Sequence, residues 1–259
     1  MAQPASPDTD LTSAPPPRRR RWWPLSLRIF LAIVAVFGSW SAWLVWQAYR
    51  QHEVGRRIAA AGGIVEYNVD YDSSGKLVAN SPTLIPTWLR RIAGDDRFDV
   101  PTVVRFYGAN RPEAHPDFAR LLGPLSEARS IAIDGYRMNS ADLECLAQKS
   151  SLRSLGLTEM PLADEDLEII QSLPLRWLSL HRTRISDHGL WHLSQMQTLE
   201  YLDLTRTRVG DAGLEFLEDL PNLRRLILNR CKVTRAGADA LRLKLPQCQI
   251  QWEPLELRK

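Results

Sequence analysis

Over the second half of the chain, apolar residues return at an interval too long for one helix or strand and too regular for a loop. Leu152, Leu175, Leu199 and Leu223 stand 23, 24 and 24 residues apart, and Ala128 precedes Leu152 by another 24. The aligned units open "LRSLGL", "LRWLSL", "LEYLDL" and "LRRLIL", with a relaxed "ARSIAI" before them. Within each unit the period changes. The opening LxxLxL puts alternate leucines on one side of a short strand. Five positions past it comes a second apolar column: Met138, Leu162, Ile185, Val209 and Val233. Leu143, Leu167, Leu190 and Leu214 are followed three positions later by Leu146, Ile170, Leu193 and Leu217, the spacing of one helix face. A single unit of strand, turn and short helix cannot cover its own leucines, so neighbours must stack and share a core. The expected fold class is α/β: a solenoid horseshoe with a parallel strand ladder inside and short helices outside, preceded by one transmembrane helix.

A different pattern occupies the amino-terminal part. Residues 29–46 form an uncharged run of eighteen, close to the roughly 20 that cross a bilayer core as a helix. Trp22 and Trp23 at one end, and Trp43, Trp46 and Tyr49 at the other, stand where aromatic belts form. A buried soluble helix and a cleaved signal peptide are the alternatives. Against cleavage, bulky Trp40, Trp43 and Trp46 occupy the place of small cleavage-site residues. Four arginines at 18–21 and Arg28 flank the run on the amino side, whereas Arg50, Arg56 and Arg57 flank the other. Five against three places the amino terminus in the cytoplasm and the repeat domain outside it.

The expected organisation is a disordered basic cytoplasmic tail over 1–24, a transmembrane helix over 25–49, a juxtamembrane helix, hairpin and amino-terminal cap over 50–127, and repeats with a carboxy-terminal capping strand over 128–259. The helix should continue through "RQHEVGRRIAAAGG" to a Gly62-Gly63 stop. "IVEYNVDYDSSGKLV" reads as a hairpin about Ser-Ser-Gly, and "TWLRRIAG" as a short helix bounded by Thr87 and Gly94. "TVVRFYG" and "PDFARLLGPL" should supply a strand and a helix of the amino-terminal cap, and "LPQCQIQWEPLEL" the closing strand.

The turns ahead of the helices read "ISDHGL" and "VGDAGL". Together with the hexads, they resemble the leucine-rich-repeat family, in the subtype whose turn has the form I-x-D-x-G-L. The resemblance covers about half the chain. The whole layout, with a basic tail, one span, "GGIVEYNVDYD", "WLRRIAGDDRFDV", repeats and a terminal "LPQCQI", is similar to bacterial single-pass membrane-anchored proteins of that family. For those, the resemblance implies an interaction module and no established reaction. The family's ladder Asn or Cys, which bonds backbone groups of the next coil, is here Tyr136, Met160, Thr183, Thr207 and Cys231. A Thr hydroxyl can make part of that bond and Met none, so the early repeats are expected to be less regular.

Composition narrows the function. A chain of 259 residues, 44% hydrophobic and 24% charged, is long enough for a real core. Its net charge of +3 sits at one end: residues 1–57 hold eight Arg against three acids, 58–127 seven basic and nine acidic residues, and 128–259 eighteen of each. That balance argues against a nucleic-acid binder. Asp164, Asp187 and Asp211 recur just before a helix, where a carboxylate accepts orphan N–H groups, and Gly189, Gly213 and Gly237 follow where coils approach closely. "GDAG" lacks the Lys-Ser/Thr of a phosphate loop. His188 and His192 have no acidic residue between them of the kind metalloproteases carry. Cys145, Cys231 and Cys248 fall in three different repeat columns, about 20 Å apart along the strand for seven positions, so no disulfide is expected. No nucleophile, base and orienting acid converge, and no catalytic residue, metal site or cofactor is expected.

What remains is a surface. Strand register should align Ser154, Trp177, Tyr201 and Arg225 in one outward column, and Thr158, His181, Thr205 and Asn229 in another, on coils about 4.8 Å apart. Beside them run Arg182, Arg206 and Arg230, with Arg184, Arg208 and Lys232 two positions on. Aromatic and Arg side chains on adjacent coils suit a partner's hot spot, so the expected function is protein binding through the concave face. The alternative is an anionic ligand, polysaccharide, lipid headgroup or nucleic acid, at the Arg edge. The bland reading is a row of solvated turns whose cations face the acids of the helices. The candidate contacts are Trp177, His181, Tyr201, Thr205, Arg225, Asn229, Arg182, Arg206 and Arg230 for a partner, and residues 29–46 for a membrane.

Overall fold

The computed structural model describes residues 23–67, 69–71, 77–79, 101–108 and 117–255. The tail of residues 1–22 and the helix expected at "TWLRRIAG" lie outside these. The chain divides into two compact units, Met1–Leu44 and Val45–Lys259, with helix α1 (Trp23–Ala60) running through both. In the first unit every described side chain from 27 to 40 is exposed, among them Ile29, Phe30, Ile33, Val34, Val36 and Phe37. This part of the helix is therefore apolar on all sides instead of along one stripe. Among the described residues no helix is long and apolar enough to cross a membrane. The uninterrupted described side chains here cover 27–43, and the expected span of 29–46 includes Leu44 and Val45 beyond them.

In the second unit α1 stops as expected: Gly62 takes a positive φ of 83° and donates its N–H to Ala59 O at 3.0 Å, turning the chain out of the helix. Val54 and Ile58 on this last stretch enter the solenoid core. Strand β1 (Gly63–Tyr67) follows, then β2 (Val69–Tyr71), β3 (Leu77–Ala79) and β4 (Pro101–Tyr107). The expected hairpin is only half right. Val69 pairs with Ala79 and Tyr71 with Leu77, whereas the first part of that stretch, β1, runs antiparallel to β4. Within the β1–β4 pairing the register shifts between Glu66 and Tyr67.

The repeats add β5 (Ser130–Asp134), β6 (Ser154–Thr158), β7 (Trp177–Ser179), β8 (Tyr201–Asp203), β9 (Arg225–Ile227) and β10 (Gln249–Gln251). The eight-stranded sheet has the order β1-β4-β5-β6-β7-β8-β9-β10, parallel from β4 onward. Thus β4 is already a rung of the parallel ladder, and β1 covers its edge. After each strand from β4 to β9 comes a short helix: α2 (Phe118–Leu122), α3 (Ser140–Ala147), α4 (Asp166–Ile170), α5 (Asp187–Leu193), α6 (Asp211–Leu214) with a 3-10 turn over Glu215–Leu217, and α7 (Arg235–Lys244).

The leucine columns lie between strands and helices, with Leu152, Leu175, Leu199 and Leu223 fully buried, as are Leu155, Leu178, Leu202 and Leu226. Each such side chain contributes about 1.5–3 kcal/mol relative to exposure. One further column, Leu125, Leu173, Met196, Leu220 and Leu245, is interrupted by Lys149. Lys149 is buried, and its ammonium donates to Leu125 O at 3.0 Å and Gly123 O at 3.4 Å, the carbonyls that follow α2. The irregularity expected of the early repeats does not appear in their strands: β5 and β6 have five residues, whereas β7, β8 and β9 have three. Tyr136, in place of a ladder Asn, instead packs edge-on against Phe118 at 5.4 Å and Phe106 at 6.4 Å.

Candidate partner-binding face

Residue alternation along the strands turns Trp177 and Tyr201 away from the leucines. The pairings Ser154↔Trp177, Trp177↔Tyr201 and Tyr201↔Arg225 align the expected column. The Trp177 and Tyr201 rings stack with centroids 5.0 Å apart and planes 14° from parallel. A Cβ built on Gly156 would touch the Trp177 indole at 3.6 Å, so the indole lies over the neighbouring strand's glycine. That floor was legible in "ARSIAI", "LRSLGL" and "LRWLSL", whose fifth positions are the small residues Ala132, Gly156 and Ser179. Arg225 is exposed and donates to Gln249 Oε1 at 3.1 Å. Burial first, and Asp203 second, push the Tyr201 hydroxyl above its ordinary range despite Arg225 nearby, so it stays a protonated donor.

His181, Thr205 and Asn229 follow as half-buried residues at the strand exits, where their carbonyls accept from the turn of the preceding coil. The Asn229 Oδ1 is buried without a hydrogen-bond partner among the described residues. Each coil then turns through one left-handed residue: Gly135 at φ 74°, Glu159 at 53°, Arg182 at 56°, Arg206 at 57° and Arg230 at 58°. Their N–H groups continue the ladder, Arg182 to Thr205 O and Arg206 to Asn229 O at 2.9 Å, and Arg230 to Glu253 O at 2.8 Å. Only the backbone is used in those bonds, and a non-glycine residue there costs about 1–2 kcal/mol. The Arg182 guanidinium pairs with Glu159 on the preceding coil. Among the described residues, Arg184, Arg206, Arg208, Arg230 and Lys232 make no ion pair.

The turn aspartates have a different task from the one expected. They do not cap their own helices. Asp164 accepts the N–H of Ser186 at 2.8 Å, Asp187 that of Gly210 at 2.6 Å and Asp211 that of Thr234 at 2.8 Å, each on the next coil. The Ser186 and Thr234 hydroxyls add a second bond to the same carboxylates. Stacking brings the next coil's exposed N–H closer than the orphan donors of the same helix. A Cβ on Gly189 would come within 2.5 Å of Asp164 Oδ1, and one on Gly213 within 2.6 Å of Asp187 Oδ1. The Asp and Gly of the turn are thus two halves of one contact between coils. Two further acids, Glu218 and Asp239, pair with Lys244 and with Arg235 and Arg242, none of them a cation of the Arg edge.

The ladder threonines also bond locally. Thr183 and Thr207 hydroxyls donate to Leu180 O and Leu204 O of their own coils, each at 2.7 Å, whereas Cys231 Sγ reaches the preceding coil's Leu204 O at 2.9 Å. Cys145, Cys231 and Cys248 are free thiols, and burial pushes Cys248 up to about 11. His192 is buried on α5 with Nδ1 3.4 Å from Gln171 Oε1, and its ring meets that of His188 at 6.1 Å. Among the described residues no cluster of three His, Cys, Asp or Glu is placed to hold a metal.

Comparison with known proteins follows this geometry. The family model described as "Leucine Rich repeat" matches residues 195–217, from the end of α5's coil to the turn after α6. No curated protein matches the chain. Among solved structures, an internalin from Listeria monocytogenes is 19% identical with a TM-score of 0.43, covering 56% of this chain and 39% of its own. A Leptospira interrogans LRR protein is 20% identical with a TM-score of 0.35, covering 51% of this chain and 33% of its own. The LRR ectodomain of the receptor kinase SOBIR1 from Arabidopsis thaliana is 14% identical with a TM-score of 0.34, covering 79% and 92%. The chain therefore spans well under half the length of the two bacterial structures.

Proposed function

We propose that this leucine-rich-repeat protein is a membrane-anchored, non-enzymatic binding module that holds a protein partner on the concave face of its horseshoe. The stacked Trp177–Tyr201 pair carries the reading. Two half-buried aromatic rings, fixed by their neighbours and flanked by exposed Arg225, are a preordered anchor of the kind that dominates protein interfaces. Anchoring is supported by the exposed apolar girth of α1 from Ile29 onward, which a bilayer would cover. The flanking arginines orient the chain with its amino terminus in the cytoplasm and its repeats outside.

Affinity capture with the full chain in detergent tests the face. Trp177→Ala together with Tyr201→Ala should weaken retention of the captured protein by about 30-fold, equivalent to ~2 kcal/mol. Retention unchanged by both substitutions would overturn the proposal. Topology is tested separately by external protease on intact cells: the repeats should be cleaved, and protection until every membrane is permeabilised would reverse the orientation.

A further inference from the structure

We infer that the left-handed arginines and the row two residues beyond them form a second, distinct edge that reads carboxylates, its partner an acidic polypeptide segment. The inference rests on the chain being a binding module but uses a different surface from the aromatic pair.

Backbone conformation supplies the first argument. The left-handed position recurs in five successive coils, and the earliest uses the residue it favours, Gly135. Arg206 and Arg230 hold the same conformation although the stack engages only their N–H groups, whereas Arg182 also pairs with Glu159 of the preceding coil. Repeated strain that gains nothing for the backbone points to the side chain as the reason for the residue. Charge supplies the second argument. Arg206 and Arg208 are exposed on the same turn, Lys232 is exposed one coil on, and none of the three has an ion pair among the described residues. The turn carboxylates nearest in sequence, Asp187 and Asp211, are held by backbone N–H groups of the next coil.

The partner's chemistry follows from the residue types. Five of the six cations are arginine, whose planar fork matches a carboxylate with two parallel bonds. Coils rise by about 4.8 Å, so Arg182 to Arg230 spans about 10 Å, a length that two or three acidic side chains of an extended segment cover. A polyuronate would also bring carboxylates, but sugar rings bind best on open aromatic faces. Trp177 and Tyr201, on the adjoining ladder face, close theirs on one another.

The test uses the full chain in detergent micelles and a fluorescent twelve-residue polyglutamate peptide, followed by anisotropy. Binding should weaken steeply with salt, and fall at least tenfold in the Arg206→Gly/Arg230→Gly double variant while its melting temperature holds or rises. A lowered melting temperature would assign those arginines to structure, and unchanged binding, or none in the parent chain, would overturn the inference. Tighter binding of polygalacturonate, or of phosphatidylglycerol vesicles, would replace the polypeptide with those partners. The capture experiment with Trp177→Ala and Tyr201→Ala reads the other face, so either reading can fail alone.

Discussion

Two charged rungs climb the solenoid with the same period, and they are opposites. On one side Asp164, Asp187 and Asp211 are each bonded to the next coil, with a glycine shaped around the carboxylate. On the other, Arg182, Arg206 and Arg230 occupy strained turns, where Arg206 and Arg230 contribute only backbone to the stack and Arg182 adds an ion pair with Glu159. Periodicity therefore does not by itself mark a residue as structural. A repeated side chain is structural when its atoms are engaged by the neighbouring coil, and available for a partner when they are not.

Substitutions along the Asp rung should have the largest effects. Gly213→Val would drive side-chain atoms into Asp187, whose Oδ1 and Cα lie 2.6 and 2.9 Å from a Cβ there. We expect a loss of about 3 kcal/mol, read by chemical denaturation. Asp187→Ala leaves the Gly210 N–H without its acceptor and should cost about 1–3 kcal/mol. Made in that background, Gly213→Ala should cost less than alone, because the carboxylate has gone. Strict additivity in this double-mutant cycle would refute the paired reading.

Lys149 is a cation engaged as the aspartates are, and it tests the comparison from the opposite charge. Lys149→Ala removes two bonds to carbonyls and opens a gap in an apolar column, a loss of about 2 kcal/mol. Lys149→Leu should recover most of it, since leucine restores the column. Burial lowers the Lys149 ammonium below its ordinary 10.5, although Cys145 nearby opposes the shift. The unfolded chain then binds the proton more tightly, so Lys149 makes stability rise with pH from the depressed folded value up to about 10.5. Both substitutions should abolish that component in denaturation curves taken across the alkaline range. The smallest effect belongs to the Arg rung: Arg206→Gly should leave stability unchanged or raise it by up to about 1 kcal/mol, seen as a small upward shift of Tm.

The leucine columns were legible because burial in a stacked solenoid repeats the same demand every 23 or 24 residues. The outward alignment of Trp177, Tyr201 and Arg225 was legible for the same reason, since strand alternation fixes the face once the core side is known. By itself the sequence determined the repeat, its strand and helix phases and the list of side chains left outside the core. Only the tertiary structure decided that Asp187 serves Gly210 instead of its own helix, that Gly156 lies beneath an indole, that β1 runs antiparallel on the ladder's edge and that Arg206 sits at positive φ. Those outcomes depend on which backbone groups stacking brings within hydrogen-bond distance, and residues more than twenty positions apart record that proximity only after the coils have closed on one another.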